Sequence, residues 1–365
     1  DMPRINFDAN GENGALLLEG QRSNLIENSE YFNHSTYAKY YLSVSDNASI
    51  SPEGVSNAAK LIPTTANNGH YMDNSNTTSA GVTYTFSCFV KADGYNYVNL
   101  NIGASRVGVI VDLTDGSIIN TYNNPNSYIN PNSDVIDYGD GWYRVIITGQ
   151  SVDGSGGYGR IAVYETSSTI NVQSFAGDGT SGILVYGMQW EANASYVSSY
   201  IPNHSGTGGV TRAADSCSVT GASDVIGQTE GTVFIDINNR VLSPYPNEYV
   251  FYLTGTGSNQ LWLRKESGGN NFTARLVVGG SNIWTISVVP PNGLTKIALA
   301  YKSGDSVVYL NGTQVNTSSA TYSGNVLEDF YFSSVASAYP ELKLKQAILF
   351  NERLTNAELA TLTTL

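Results

Sequence analysis

The side chains in this chain best suited to chemistry are aromatics and planar polar groups that share strand faces. Residues 97–102 read Tyr-Val-Asn-Leu-Asn-Ile. With a period of two, Val98, Leu100 and Ile102 are expected in a core and Tyr97, Asn99 and Asn101 outside. Arg106 opens a similar run, in which Val107, Val109, Val111 and Leu113 face inward. Arg144 falls in a strand expected over 142–148, and Arg160 and Tyr164 in one over 160–165. This mixture suits a sugar, whose apolar ring face stacks on an aromatic while its hydroxyls meet amides and guanidinium groups. If these strands share one sheet, the arginines make its outer face locally basic, which would suit an acidic or sulfated polysaccharide. Trp262, which alternates with Arg264, is a further candidate, as are Trp284, Tyr245 and Tyr249. The same faces would also serve as solvent-facing sheet or as packing surfaces for a sister chain.

Catalytic constellations are not legible. Glycoside hydrolysis needs two carboxylates across the scissile bond. The E-x-D-x-x-E strand of laminarinase-type sandwiches is absent, and Asp236 stands alone in the closest strand context. Residues 89–95, Phe-Val-Lys-Ala-Asp-Gly-Tyr, approach the Y-F-K-x-G-x-Y strand of jelly-roll alginate lyases only superficially. They depart at the first two positions and carry an extra residue before the glycine. The partner Gln-x-His and Arg-rich motifs are missing, so base and charge neutraliser are both lacking. His34, His70 and His204 are scattered over expected loops without metal-ligand spacing. The glycine-rich run 176–182 precedes a strand rather than a helix, so it is not a phosphate loop. The chain is expected not to be an enzyme.

The elements that must position these residues are strands. The chain has 365 residues, sparse charge (13%), 37 glycines and 25 tyrosines. Short alternating segments between Gly, Asn and Asp turns are an all-β profile, and the length suggests two or three domains. Net charge is −13, and residues 1–212 hold 19 acidic against 9 basic side chains. That balance argues against nucleic acid, which wants a basic patch. No membrane span is readable. Cys88 alternates with Phe86 and Val90 and reads as a small buried apolar residue; with Cys217 it makes no disulfide framework.

Strands are expected at 15–18, 58–62, 82–91, 97–102, 106–113, 142–148, 160–165 and 183–190, with a long exposed loop over 120–134. Pro202 and the Ser-Gly-Thr-Gly-Gly run 205–209 mark a boundary. The expected architecture is two tandem antiparallel β-sandwiches of jelly-roll type, 1–212 and 213–365, ending in a short helix. In the second, residues 296–316 read as strand, turn, strand, Asn311-Gly312 turn, strand. Thr355 to Glu358 spells a capping box, with Leu359 and Leu362 on the apolar side of the helix.

The order of LLLEGQRSNLI (16–26), SPEGVSNAAKLI (51–62), YTFSCFVKA (84–92), GDGWYRVIITG (139–149), AGDGTSGILVYGMQWE (176–191), SSYIP (198–202) and VTRAAD (210–215) resembles a jelly-roll module of bacteriophage tail, fibre and spike proteins. That module is similar to carbohydrate-binding modules of polysaccharide-degrading enzymes, and the resemblance covers roughly residues 1–215. The strand–Asn-Gly–strand pattern and final helix of the second half resemble a laminin-G-like, concanavalin-A-like domain. The resemblance implies a non-catalytic virion part (fibre, spike or head decoration) that binds host-surface or environmental polysaccharide. Alternatives are a purely structural assembly domain and a carbohydrate-binding appendage of an enzyme. It implies a virion-surface or extracellular location, other virion proteins as partners, a homo-oligomer (a trimer, by analogy with fibres), and no membrane insertion. No cofactor is required, but related modules hold a structural calcium ion near the first strand, where Glu27, Asn28 and Glu30 stand. Trp142, beside the Gly-Asp-Gly turn, is expected to be a core anchor.

Overall fold

The computed structural model describes residues 5–7, 14–169, 172–239, 248–266, 271–291, 293–324, 326–332 and 342–365. Two compact units emerge: Arg22–Arg212, and Ala213–Leu365 together with the N-terminal segment through Gln21. The chain opens with β1 (Ile5–Asn6) and β2 (Ala15–Leu18), which belong to the second unit.

The first unit contains β3 (Arg22–Asn24), β4 (Tyr37–Tyr40), β5 (Leu42–Ser49), β6 (Ala58–Pro63), β7 (Asn68–Ser75), β8 (Thr83–Asp93), β9 (Tyr97–Ile102), β10 (Val107–Asp112), β11 (Ile118–Asn123), β12 (Tyr128–Asp137), β13 (Tyr143–Ser151), β14 (Tyr158–Tyr164), β15 (Ser174–Phe175), β16 (Gly182–Ala192) and β17 (Val210–Arg212). A front sheet runs β11-β10-β9-β14-β7, with β15 and β4 both on the free side of β7. A back sheet runs β12-β13-β8-β16-β6-β5. The inward alternation holds: Val98, Leu100, Ile102, Val107, Val109, Val111 and Leu113 from the front meet Phe86, Cys88, Val90, Val145 and Trp190 from the back in one buried core. β3 pairs with β17, so the unit begins and ends in the same ladder.

The loop expected over 120–134 is instead mostly strand. β11 continues to Asn123, and β12 carries the polar stretch that includes Pro131. Both are edge strands, and the register shifts between Ile129 and Asn132. A free edge and a bulge are where a sheet tolerates a residue without an N–H donor. The Asn/Pro/Ser composition therefore signalled an edge rather than a loop.

The second unit adds β18 (Ser218–Val219), β19 (Glu230–Asn239), β20 (Glu248–Gly255), β21 (Asn259–Lys265), β22 (Phe272–Val278), β23 (Ser281–Val288), β24 (Gly293–Lys302), β25 (Ser306–Leu310), β26 (Thr313–Ser318), β27 (Asp329–Tyr331), β28 (Leu342–Phe350) and α1 (Asn356–Thr363). Its sheets run β1-β2-β28-β19-β24-β25-β26 and β18-β27-β20-β21-β22-β23. Val233, Ile235 and Ile237 face the core, while Phe234 points outward to meet Leu359 of α1. The capping box closes as expected: Thr355 Oγ1 accepts from Glu358 N, and the Glu358 carboxylate accepts from Thr355 N. Asn311 and Gly312 both take positive φ, as the hairpin turn requires. No helix among the described residues is long and apolar enough to cross a membrane.

Residues 1–21 thus depart from the expected 1–212 domain. Leu16, Leu17 and Leu18 pair with Leu344, Lys343 and Leu342, and Leu18 is buried in the second core. Glu19 and Asp215 then tie both passages together, Glu19 N donating to Asp215 Oδ2 (2.7 Å) and Asp215 N to Glu19 O (2.9 Å). Residues 22–212 are an insertion within the second sandwich, which the paired β3 and β17 make geometrically simple.

Candidate functional site

The ladders of the front sheet fix what its outer face displays. Across the strands from β11 to β4, one row reads Tyr122, Gly108, Asn101, Arg160, Asp73, Ala38. The next reads Asn120, Ile110, Asn99, Ala162, Tyr71, Tyr40. A shorter third reads Asp112, Tyr97, Tyr164. Five residues singled out in the sequence, Tyr97, Asn99, Asn101, Arg160 and Tyr164, therefore do share one face.

The face has two levels. Asn99, Asn101 and Tyr164 are fully buried, and Arg160 nearly so. Asn99 Nδ2 donates to the Tyr164 hydroxyl at 2.7 Å, and the Tyr122 hydroxyl lies 3.1 Å from both amide heteroatoms of Asn99. Asn101 Oδ1 accepts from Ser105 N at 2.9 Å. Arg160 makes a forked pair with Asp73, Nε to Oδ1 at 2.6 Å and Nη2 to Oδ2 at 2.7 Å. Its Cζ lies 3.8 Å from the Tyr71 ring centroid, and Tyr71 in turn stacks on Tyr40 at 4.6 Å. Asn99, Asn101, Arg160 and Tyr164, expected to reach solvent, are thus a floor beneath the rings of Tyr122 and Tyr71. The accessible level is Tyr40, Tyr71, Tyr97, Tyr122 and Asp112.

Gly108 makes the covering possible. A Cβ there would meet Tyr122 Cζ and Oη at 2.5 Å and Asn101 Cβ at 2.7 Å, so only a bare backbone lets the ring lie down. Burial raises the Tyr164, Tyr122 and Tyr71 phenols above their ordinary range, and the charge of Asp112 does the same for Tyr97. All four remain neutral hydroxyls at physiological pH. Burial opposes the Arg160 charge, but the Asp73 hydrogen bonds and charge outweigh it and hold the guanidinium protonated. Beside β11, a cleft of about 170 Å³ lies against the edge of the back sheet, lined by Gly108, Thr121, Tyr122, Asn123, Pro131, Asn132, Ser133 and Ile147. That is smaller than the ~300–1,000 Å³ of most buried ligand pockets.

The expected local basicity is cancelled. Asp73 neutralises Arg160, and Arg106 is tied to Ser155 and lies 3.8 Å from Asp153 at the sheet's end. Arg144 belongs to the other sheet. It is buried where the chain after β16 folds back across the back sheet, donating to Ser198 O (2.8 Å) and Ser87 Oγ (3.1 Å) with Cζ 5.0 Å from the Phe89 ring. Trp142 anchors that same layer with Phe89, Leu184 and Tyr186.

The proposed calcium ligands do not converge. Glu27 accepts from Gly208 N (2.6 Å), and the Asn28 amide faces His34 (3.3 Å). Glu30 accepts from the Tyr200 (3.1 Å) and Tyr186 (3.3 Å) hydroxyls. No group of three or more His, Cys, Asp or Glu side chains among the described residues is placed to hold a metal ion. His70, expected on a loop, is buried in β7 between the carbonyls of Tyr41 (2.5 Å) and Phe175 (2.8 Å). Tyr95, at the end of the lyase-like stretch, turns into the core. Asp236 faces outward opposite Lys296.

In the second unit Trp284 is core, and Tyr245 lies outside the described residues. Trp262 is on the outer face of its sheet but only 3% exposed, covered by the Arg264 and Arg275 guanidinium groups at 4.8 and 4.9 Å and by Tyr249, edge-on at 5.5 Å. Sequence reasoning missed Tyr40, Tyr71, Asp73 and Tyr122. Tyr71 and Asp73 flank Met72, a core residue. That alternation was readable, but it is obscured by polar neighbours on both faces.

No family model matches this chain, and no curated protein matches it significantly. Among solved structures it is similar to a structure of botulinum neurotoxin type C, whose cell entry depends on interaction with two ganglioside molecules (14% identity, TM-score 0.32, 37% of this chain and 35% of that chain). The match spans about a third of that chain's length. It is also similar to the Ruminococcus gnavus sialidase module CBM40, bound to α2,6-sialyllactose (14%, 0.32, 39% and 87%), and to mouse laminin α1 domains LG4-5 (10%, 0.28, 78% and 86%). All three similarities are low in identity and in TM-score, and none assigns a ligand to this chain.

Proposed function

We propose that this chain is a non-catalytic, glycan-binding β-sandwich protein and that the outer face of its front sheet is the binding surface. The observation that supports this reading is the pairing of two levels. Half-buried rings of Tyr71, Tyr97 and Tyr122 offer apolar stacking surface, and the Asn99–Tyr164 and Asp73–Arg160 floor holds them in place. Rings packed on a hydrogen-bonded floor lose less conformational entropy on binding than free ones would. Because the arginines are neutralised, the face favours an uncharged polysaccharide over an acidic one.

The resemblance of residues 1–215 to phage fibre and spike modules supports a setting at a virion surface or outside the cell, with other virion proteins as neighbours and a trimer as the assembly. This reading invokes no calcium ion; Glu27, Asn28 and Glu30 are each engaged with separate protein partners.

A glycan array with the full chain, with and without EDTA, tests it. Saturable binding to a neutral polysaccharide is expected, unaffected by EDTA and lost in a Tyr71→Ala/Tyr97→Ala double variant that keeps its circular dichroism spectrum. Binding undiminished in that variant would place the site elsewhere. A folded, wild-type chain that binds no glycan but associates with itself in sedimentation would favour the structural-assembly reading.

A further inference from the structure

We infer that the outer face of β20–β23 is a second binding site, separate from the front-sheet face, and that it takes an anionic saccharide at Arg275. Five residues from five strands stand in one cross-strand row there: Tyr331, Tyr252, Trp262, Arg275 and Thr285. Arg264, two residues beyond Trp262 on β21, completes a pair of guanidinium groups within 5 Å of the same indole centroid.

The two cations are not equivalent. Arg264 is spent internally: its Nη2 lies 2.9 and 3.1 Å from the two carboxylate oxygens of Glu266. Arg275 has no carboxylate partner among the described residues. Among the described residues its one hydrogen bond is from Nε to Thr285 Oγ1, at 3.2 Å. The Asn282 amide nitrogen also reaches Thr285 Oγ1, at 3.1 Å. The Nη1 and Nη2 donors of Arg275 are left as a fork held against Trp262, beside an amide and a hydroxyl. Such a fork matches the two oxygens of a carboxylate or the edge of a sulfate. Contact with the indole fixes the guanidinium plane in advance, which lowers the ordering cost of recognition.

Charge elsewhere makes the contrast sharper. On the front sheet the outward Arg160 is matched by Asp73, and here Arg264 is matched by Glu266. In a chain with 31 acidic and 18 basic side chains, an outward arginine without a carboxylate is poised for an external one. Tyr252, partly exposed one strand beyond Trp262 in the same row, and the Asn282 amide favour a sugar carrying the anion over a bare ion. The two sources of that anion are a uronic acid and a sulfate ester.

The test is affinity electrophoresis of the full chain in gels containing oligogalacturonate, dextran sulfate or neutral dextran. Diffuse attraction to a polyanion is disfavoured by the chain's net charge of −13, so retardation requires a site. Wild type is expected to be retarded by at least one anionic polymer and not by neutral dextran through this site. Which polymer retards it identifies uronate or sulfate as the anion. Arg275→Gln should weaken that retardation about tenfold or more, the loss typical of a hydrogen bond to a charged group. Arg275→Lys should restore part of it, because charge returns without the fork. Lys345→Gln, which removes an exposed cation from the other sheet of this sandwich, should leave it unchanged, and because no front-sheet residue is altered, failure here and failure of the front-sheet reading are separable. No retardation by either polyanion, or retardation that Arg275→Gln leaves intact, overturns the inference. So does binding of acidic proteins with no acidic saccharide bound.

Discussion

Asp73 and Arg160 face each other across β7 and β14 in a forked ion pair of 2.6 and 2.7 Å, roofed by the Tyr71 ring 3.8 Å from the guanidinium carbon. Both side chains are 9% exposed. A pair so enclosed is costly to break from one side, because the survivor keeps a buried charge without a partner. Asp73→Asn should therefore destabilise the first sandwich by about 3–5 kcal/mol. Replacing both residues with apolar ones of similar size, Asp73→Leu with Arg160→Met, should recover most of that loss. Urea unfolding of the two variants decides it. An Asp73→Asn midpoint within error of wild type would mean that the pair is more solvated than its geometry indicates.

Gly108 and Tyr122 give a prediction that separates stability from binding. Gly108 has an ordinary strand backbone, so alanine fits there conformationally, but its Cβ would press 2.5 Å from the Tyr122 ring. Gly108→Ala should cost about 1–3 kcal/mol, the range for overpacking, and should lift Tyr122 off Asn99. Glycan affinity should fall along with it. Tyr122→Phe keeps the ring and removes only the hydroxyl near Asn99, so it should bind nearly as wild type. Calorimetric titration of both variants with the glycan found for wild type checks the pair. Equal affinity in both would remove Tyr122 from the binding surface.

What was legible in the sequence follows from how many constraints each residue answers to. Val98, Leu100 and Ile102 answer to the core alone, and a period of two reveals them. The same period put Tyr97, Asn99 and Tyr164 on one outer face, because the ladder between β9 and β14 keeps their register. It could not reveal that Tyr122, on the edge strand two away from that of Asn99, would lie over that face, since this depends on the bare backbone of Gly108 on the strand between them. Nor could it place Arg144 under the returning chain at Ser198, 54 positions away. The membership of Ala15–Leu18 was hidden for the same reason. A three-leucine strand fits either core, and only the pairing with Leu342–Leu344 selects the second.

That pairing predicts how the chain can be cut. Residues 22–212 hold both sheets of the first sandwich and close on themselves through β3 and β17, so this fragment should unfold cooperatively by itself. Residues 213–365 lack β2 and expose the edge of β28. The loss of Leu18 and its neighbours from the second core should cost several kcal/mol, at about 1.5–3 kcal/mol for each fully buried side chain. An unpaired edge also invites association. A version that joins residues 1–21 to 213–365 through a short linker should regain stability and stay monodisperse. Thermal melts and light scattering of the three fragments test this. A 213–365 fragment as stable as the joined version would show that β2 contributes little.

The tyrosines make the chain sensitive to alkali. Burial pushes Tyr322 up to about 12, helped by the charge of Glu230. Burial also raises Tyr301 and Tyr200, with Glu30 adding to the second, further above the ordinary phenol value near 10. A folded pKa above the unfolded one means that the native state holds its proton while the unfolded chain gives it up. Stability from these groups is therefore complete below pH ~10 and declines as pH rises from there, through 12 for Tyr322 and beyond for the others. Each contributes a slope of about 1.4 kcal/mol per pH unit in that window. Absorbance at 295 nm should show two populations among the 25 tyrosines. The solvent-exposed population should ionise first and reversibly, with the circular dichroism unchanged. The buried ones should ionise only as the sandwiches unfold, giving a steep second step that coincides with loss of the β signal. A single smooth titration of all tyrosines near pH 10 in a chain that stays folded would mean that these phenols reach solvent, which their burial does not permit.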